Sequence, residues 1–379
     1  MFIIQISISD LVTLTTLHLG WNLISGDSLS GFAVSKLKNF SSLNLDSNPI
    51  SVTGLKSLMN ELKQFDSNLV FNKGEYTRTI CNKDEVFAER YILQKKTLTK
   101  EILSFKNFDD DHLANELSHL EKYEHLKHLI LARDKLKLSS LNTLVSKLSN
   151  ISQLREIDMR CNEIGDEGLI ELSNGLKSIP LVESINFREN NIGDSGIIVF
   201  DKNIHFIPNL RSLNLNWNLI SDEGMKALSH SDLTNLESLK LKENNIGKEG
   251  MIEFSRHLSN FLNLLHLDLG WNSIGGEGMK EFSDNMHLLS QLNFLLLSKN
   301  EIGDYGISRF ADNINKLINL ETLLLWNNRI GDEGGESLIR KIEKCPKLKT
   351  LDISINIMSE ETKQKYRELG DKLKISIDI

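Results

Sequence analysis

Residues Leu213–Gly224 read LNLNWNLISDEG, and the same phrase returns along the chain. Around Trp21 it is LHLGWNLISGD, and around Trp271 it is LDLGWNSIGGEG. In LLLWNNRIGDEG the tryptophan, Trp326, moves one place back. All 4 tryptophans of the 379-residue chain fall at this one point of the phrase. Aligned on its asparagine, the phrase recurs at Asn22, Asn48, Asn162, Asn190, Asn218, Asn244, Asn272, Asn300, Asn328 and Asn356. Asp134 fills the slot in LKHLILARDKL. From Asp134 to Asn356 the step is 28 residues, apart from one step of 26 between Asn218 and Asn244. A fixed period of this size means one small structural unit stacked many times.

Each unit follows L-x-x-L-x-L-x-x-N-x-I-G-D-E-G-x-x-x-L-x-x-x-L. Leu210, Leu213 and Leu215 end in a period of two, which predicts a short strand with its leucines on one side. The asparagine ends the strand, and its amide both donates and accepts, so it serves loop groups of adjacent units. Asp134, when ionised, only accepts and does half of this work. In GDEGLIELSNGLKSI, from Gly165, Leu169, Leu172, Leu176 and Ile179 take helical spacing. Asp166 is expected to cap its own helix, and Glu167 suits the positive end of the helix dipole. Glycine recurs six residues after the asparagine, as in Gly168, Gly224 and Gly250, which predicts close packing of each helix start against its strand. The GDEG turn lacks the Lys-Ser/Thr ending of a phosphate loop and puts a carboxylate where phosphate would sit.

A strand and a helix in about 28 residues resemble the ribonuclease-inhibitor-like class of leucine-rich repeats. That class also includes Ran GTPase-activating proteins and the sensor domains of intracellular immune receptors. The resemblance covers residues 11–62 and 126–358. It implies an α/β solenoid shaped as a horseshoe, with a parallel β-sheet on the concave face and α-helices on the convex face. Parallel strands need crossovers, and here the crossovers are helices.

Residues 63–125 break the phrase, and the 86 residues from Asn48 to Asp134 leave room for two degenerate repeats or an insertion. NLVF, with Leu69 and Phe71, and ILSF, with Leu103 and Phe105, are candidate strands. DDDHLANELSHLEKYEHL, from Asp109, reads as a helix with an acidic start. NKGEYTRTICNKDEVFAER exceeds the usual loop length. No linker composition marks a boundary, so residues 1–379 are read as a single repeat domain with a C-terminal cap over 359–379. The start MFIIQISISDLV has no basic flank and alternates like a strand rather than a signal peptide, and it reads as beginning inside a repeat.

The net charge of −8, with both signs spread along the repeats, disfavours nucleic acid. Three cysteines, Cys81, Cys161 and Cys345, far apart and odd in number, suit a reducing, cytoplasmic compartment. The ribonuclease inhibitor is much richer in cysteine, a departure from the class. No segment approaches the roughly 20 apolar residues of a membrane span, so no membrane insertion is expected. The 10 histidines are scattered: His125 and His128 are close, without a completing ligand set, so no metal and no cofactor are expected. No catalytic motif appears either.

The positions alternating with the leucines face outward. One such column holds Asp158, Asn186, Asn214, Lys240, Asp268, Leu296, Leu324 and Asp352, and the next Arg160, Arg188, Asn216, Lys242, Gly270, Ser298 and Trp326. Trp21, Trp217 and Trp271 stand at the rim, just before the asparagine, in a slot filled elsewhere by Arg133, Cys161, Glu189, Glu243 and Lys299. Trp217, Trp271 and Trp326 lie in alternate repeats with Phe294, Leu296 and Leu324 among them, bordered by Lys240, Lys242, Glu243 and Asp268. An aromatic patch with a charged rim has the anatomy of a protein-binding hot spot. The plainer reading is that each indole covers the edge of the loop below. Tryptophans on the concave face anchor ligands in the ribonuclease-inhibitor class, which the resemblance carries over to these positions. A non-catalytic scaffold binding a protein partner on its concave face is therefore expected. The alternative is a Ran-type activator of a small GTPase, with Arg160 and Arg188 acting on the bound GTPase. Neither arginine matches a family motif, and the acidic tail of many such activators has no counterpart in the closing KLKISIDI.

Overall fold

The computed structural model describes the strand backbones at 16–18 and 42–44, and residues 102–105, 110–134 and 136–379. Two compact units emerge, Met1–Lys100 and Glu101–Ile379. In the first, β1 (Thr16–His18) and β2 (Ser42–Asn44) pair in parallel with Thr16 opposite Ser42. Both fall where the phrase places strands. Trp21, Leu69, Phe71 and the NKGEYTRTICNKDEVFAER stretch lie outside the described residues.

The second unit is one open sheet of 11 parallel strands in strict chain order. They are β3 (Ile102–Ser104), β4 (His128–Ile130), β5 (Glu156–Asp158), β6 (Ser184–Asn186), β7 (Ser212–Asn214) and β8 (Ser238–Lys240), then β9 (His266–Asp268), β10 (Phe294–Leu296), β11 (Thr322–Leu324), β12 (Thr350–Asp352) and β13 (Ser376–Asp378). β3 coincides with the ILSF stretch, and Leu103 and Phe105 are buried. Helices alternate with the strands: α1 (Asp110–Leu117), α2 (Leu138–Lys147), α3 (Gly165–Gly175), α4 (Asp194–Ile204) and α5 (Asp222–His230), then α6 (Lys248–Arg256), α7 (Gly275–Asn285), α8 (Gly303–Asn313), α9 (Asp332–Ile342) and α10 (Glu360–Leu373). The central residue of each strand from β4 to β12, such as Leu213 or Leu267, points at the helices and is fully buried. Leu169, Leu172, Leu176 and Ile179 close over them in one continuous core. The fold is an α/β leucine-rich-repeat solenoid.

Two polar ladders fix one repeat to the next. Asn244 donates through Nδ2 to the carbonyls of Leu241 and Leu215, both at 3.0 Å, and accepts at Oδ1 from the N–H of Ile220 at 3.0 Å. Asn272, one repeat on, repeats the set with Leu269, Leu241 and Ile246. A buried amide group left without such a partner costs about 1–3 kcal/mol. The fully buried Asp134 still stands on this ladder, donating its backbone N–H to Oδ1 of Asn162 at 3.0 Å.

The aspartates behave differently from expectation. Asp166 does not cap its own helix, whose first flanking residue is Ile164, with no side-chain cap. It accepts instead from the N–H of Gly193, at the start of α4 in the next repeat, at 2.6 Å. Asp194 likewise takes the N–H groups of Ser221 and Gly224 at the start of α5, at 2.8 and 2.9 Å. Asp222, Asp304 and Asp332 serve Gly247, Gly331 and Ser359 in the same way. Each carboxylate thus sits at the positive end of its neighbour's helix. Where Leu138, Lys248 or Gly276 takes the aspartate's place, the next helix, α3, α7 or α8, opens on Gly165, Gly275 or Gly303 at φ 62, 66 and 63°. The recurring glycine has the same origin. A Cβ on Gly250 would lie 2.9 Å from Asp222 Cα, so the close approach is to the neighbouring repeat's backbone rather than to its own strand.

Candidate protein-binding surface

The face of the sheet opposite the helices carries three columns of side chains. Register places His266, Phe294 and Thr322 side by side, then Asp268, Leu296 and Leu324. The third column continues as Lys242, Gly270, Ser298 and Trp326, tied by the Lys299 N–H to the Trp326 carbonyl at 2.9 Å and the Trp271 N–H to the Ser298 carbonyl at 2.7 Å. Phe294, Leu296, Leu324, Trp271 and Trp326 are all half-buried. A Cβ on Gly270 would meet Leu296 Cδ2 at 2.0 Å, so only glycine lets Leu296 lean across to the next strand. The His266 and Phe294 rings lie 5.8 Å apart. Partial desolvation, and then Lys240, hold the imidazole of His266, an exposed residue, below its ordinary range.

The slot before the asparagine has a definite backbone. Arg133, Cys161, Glu189, Trp217, Glu243, Trp271, Lys299, Asn327 and Ile355 all occupy it with φ between 54 and 65°. A bulky side chain is an outlier in this left-handed region, which costs roughly 1–2 kcal/mol per residue. The fold therefore makes no demand for an indole at Trp217 or Trp271. Near β11 the slot goes to Asn327, and Trp326 stands one place earlier, in the third column. That shift brings it edge to face with Trp271, ring centroids 5.7 Å apart and planes at 74°. Lys299 Nζ lies 3.6 Å from the Trp271 ring centroid, and Lys242 Nζ lies 5.5 Å from it. Lys299 appeared in the sequence only as another occupant of the slot; its place over the indole follows from adjacent strands meeting at the rim.

Three polar atoms near this pair are buried with no hydrogen-bond partner among the described residues: Trp271 Nε1, Glu243 Oε2 and Ser298 Oγ. Asp268, at the edge of the patch, accepts from the Gly270 N–H at 3.1 Å. Burial pushes its carboxyl above the usual range, opposed by that N–H and then by Lys242. Asn186 and Asn214 make the same contact two residues along their own strands, to Arg188 and Asn216, each at 3.1 Å.

The predicted residues divide into two groups. Trp271, Trp326, Phe294, Leu296 and Leu324 belong to one patch with Lys240, Lys242 and Asp268 around it. Trp217, 42% exposed, instead faces the Arg188 guanidinium, 5.9 Å from its ring centroid. Arg160 Nε lies 3.4 Å from Asp158 Oδ2. Both arginines are thus engaged locally, and the GTPase-activator reading gains no support from them. His125 is exposed beside Glu124, while His128 on the strand face pairs with Glu156 at 2.8 Å.

A family model described as Leucine Rich repeat matches residues 11–33, 36–59, 152–173, 179–200, 207–229, 232–255, 262–283 and 316–338. The chain carries leucine-rich repeats. Its fold is similar to that of an internalin from Listeria monocytogenes, at 21% identity and a TM-score of 0.53, covering 98% of this chain and 88% of that one. A leucine-rich-repeat protein of Leptospira interrogans aligns at 18% identity and a TM-score of 0.49, over 98% and 97% of the two chains. No curated protein matches this sequence. Leucine-rich-repeat proteins generally act as protein-interaction scaffolds. Among the described residues, no helix is long and apolar enough to cross a membrane.

Proposed function

We propose that this chain is a non-catalytic scaffold of the ribonuclease-inhibitor-like class of leucine-rich repeats, cytoplasmic, and that it binds a protein partner on the open face of its sheet. The carrying observation is the Trp271–Trp326 pair, an edge-to-face aromatic contact at the rim with two lysines over one ring. The left-handed backbone at residue 271 is shared by the slot in every described repeat and does not favour an indole, which supports a functional reading of Trp271. Phe294, Leu296 and Leu324 extend the apolar area along the strands.

The partner's chemistry follows from the groups left open. Lys242 and Lys299 bring positive charge to the Trp271 ring, beside the half-buried apolar side chains of the sheet face. A partner segment that sets an apolar side chain over Phe294 and Leu296, with a carboxylate beside Trp271, would complement both.

The test is capture from cell lysate by the native chain and by a Trp271→Ala/Trp326→Ala variant, with a Leu262→Ala variant as surface control. The captured protein is then identified and its affinity measured at low and high salt. Binding lost in the double variant, kept in the control and weakened by salt is expected. Equal binding by parent and double variant would place the interface elsewhere.

A further inference from the structure

Two consecutive helices end in a group of side chains that the binding surface leaves unused. His230 is the last residue of α5; Glu253 lies in the final turn of α6, and His257 follows that helix directly. One ring nitrogen of each histidine and one carboxylate oxygen of Glu253 all lie within 4.8 Å of one another. The imidazole rings face each other with centroids 4.1 Å apart. The 26-residue step from Asn218 to Asn244 falls here: α5 stops at His230, and Ser231 turns to an extended backbone.

Each imidazole is held by a backbone carbonyl of its own helix. His230 Nδ1 lies 2.6 Å from the Lys226 carbonyl, and His257 Nδ1 lies 2.9 Å from the Glu253 carbonyl. A carbonyl oxygen only accepts, so each Nδ1 carries its hydrogen, and in the neutral imidazole Nε2 is then the nitrogen with the lone pair. Metal-ligating histidines characteristically use their second nitrogen in this way, to a carbonyl or carboxylate. Glu253 Oε1 accepts from Arg256 Nη1 at 2.9 Å, a contact that orients the carboxylate and leaves its other oxygen for a ligand bond.

Two imidazoles and one carboxylate are the donor set of first-row divalent ions of the zinc class; calcium and magnesium call for oxygen throughout. Ligands around a tetrahedral zinc at about 2.0 Å stand about 3.3 Å apart. Closing from the present spacing needs side-chain rotations at His230, which is exposed, and at half-buried Glu253 and His257.

We propose that His230, Glu253 and His257 bind one zinc-class divalent ion, with water in the fourth position, joining α5 to α6 across the shortened repeat. The site lies on the helices and stands apart from the partner-binding reading. An ion bound only by the folded chain raises the melting temperature.

The test is a calorimetric titration of chelator-treated full chain with zinc chloride, paired with the visible spectrum of its cobalt(II) form. One ion per folded chain is expected, with a tetrahedral cobalt band. His230→Ala and His257→Ala should each weaken binding at least about tenfold and remove the band. Glu253→Gln should weaken it too, whereas Cys161→Ser and His125→Ala should not. Melts without metal show whether each variant folds, and the zinc-induced rise in melting temperature should shrink in the two histidine variants and in Glu253→Gln and persist in Cys161→Ser and His125→Ala. No zinc binding by the parent, unchanged binding in both histidine variants, or loss on Cys161→Ser would each overturn the proposal.

Discussion

Trp271 and Trp326 meet edge to face at 5.7 Å although they occupy different slots of their repeats. Had Trp326 stood at residue 327, in the left-handed slot, it would repeat the placement of Trp217 and Trp271 along the rim. One place earlier it belongs to the third outward column, above fully buried Ser298. The pair is therefore both a packing contact and a half-buried part of the open face, and the two roles separate in measurement. Trp326→Ala should cost about 0.5–1.5 kcal/mol of stability, the worth of an aromatic pair, and weaken partner binding tenfold or more. Trp217→Asn, which suits the left-handed backbone, should leave the denaturant midpoint unchanged or slightly higher. A large stability loss at Trp217 would show that its indole is needed by the fold.

Asn244→Ala should destabilise by about 1–3 kcal/mol, because the carbonyls of Leu215 and Leu241 and the N–H of Ile220 lose their buried partner. A thermal melt matching the parent would refute the ladder's energetic role. Asn244→Asp should not recover the loss, since an ionised carboxylate accepts from Ile220 but sets a buried, unpaired charge against the carbonyls of Leu215 and Leu241.

Capping between repeats has its own signature. Asp194→Ala should cost about 1–2 kcal/mol, and hydrogen exchange should rise at Ser221 and Gly224, not at the start of α4. Asp332 carries the same motif to the last helix. Hydrogen bonds from Thr362 and then Ser359 hold its carboxyl below the ordinary range. A depressed folded-state value means the contribution is present above the unfolded carboxylate range and is lost as pH falls through the folded value. Acid should therefore loosen the first turn of α10 only below the ordinary carboxylate range, read by exchange there, and Asp332→Asn should flatten that pH dependence.

Asp268→Asn is expected to stabilise slightly near neutral pH. Asparagine accepts from the Gly270 N–H as Asn186 and Asn214 do in their own strands, without a buried charge. Burial raises the Asp268 carboxyl, so its ionised form disfavours folding, and the penalty shrinks as pH falls from the folded value to the unfolded one. The advantage of the variant, followed by denaturant melts from neutral to acid pH, should shrink accordingly. An unchanged difference at all pH values would exclude the buried charge as its cause.

Thiol reactivity should be ordered by burial. The buried Cys345 thiol is pushed up to about 11, so it should react with a chromogenic disulfide only on unfolding. Cys161, half-buried beside Glu189, should react earlier in the native protein. Under denaturing, non-reducing conditions 3 free thiols are expected for the full sequence, and an intramolecular disulfide would contradict the cytoplasmic reading.

Most of the architecture was legible in one period. A strand of two leucines, an asparagine and a helix stripe at 28-residue spacing already determine parallel strands in chain order and which residues face outward. The asparagine ladder was legible for the same reason, since its partners are backbone atoms that every repeat supplies. What one repeat does to the next was not. Asp166 was expected to cap its own helix, but it and the aspartates at the same place in other repeats reach forward, because the distance from a helix start to its neighbour is set by sheet spacing, which a single repeat does not contain. The Trp271–Trp326 contact and the convergence of His230 on Glu253 and His257 likewise arise between repeats. Sequence determines the column each residue joins; packing of adjacent strands and helices decides which columns touch.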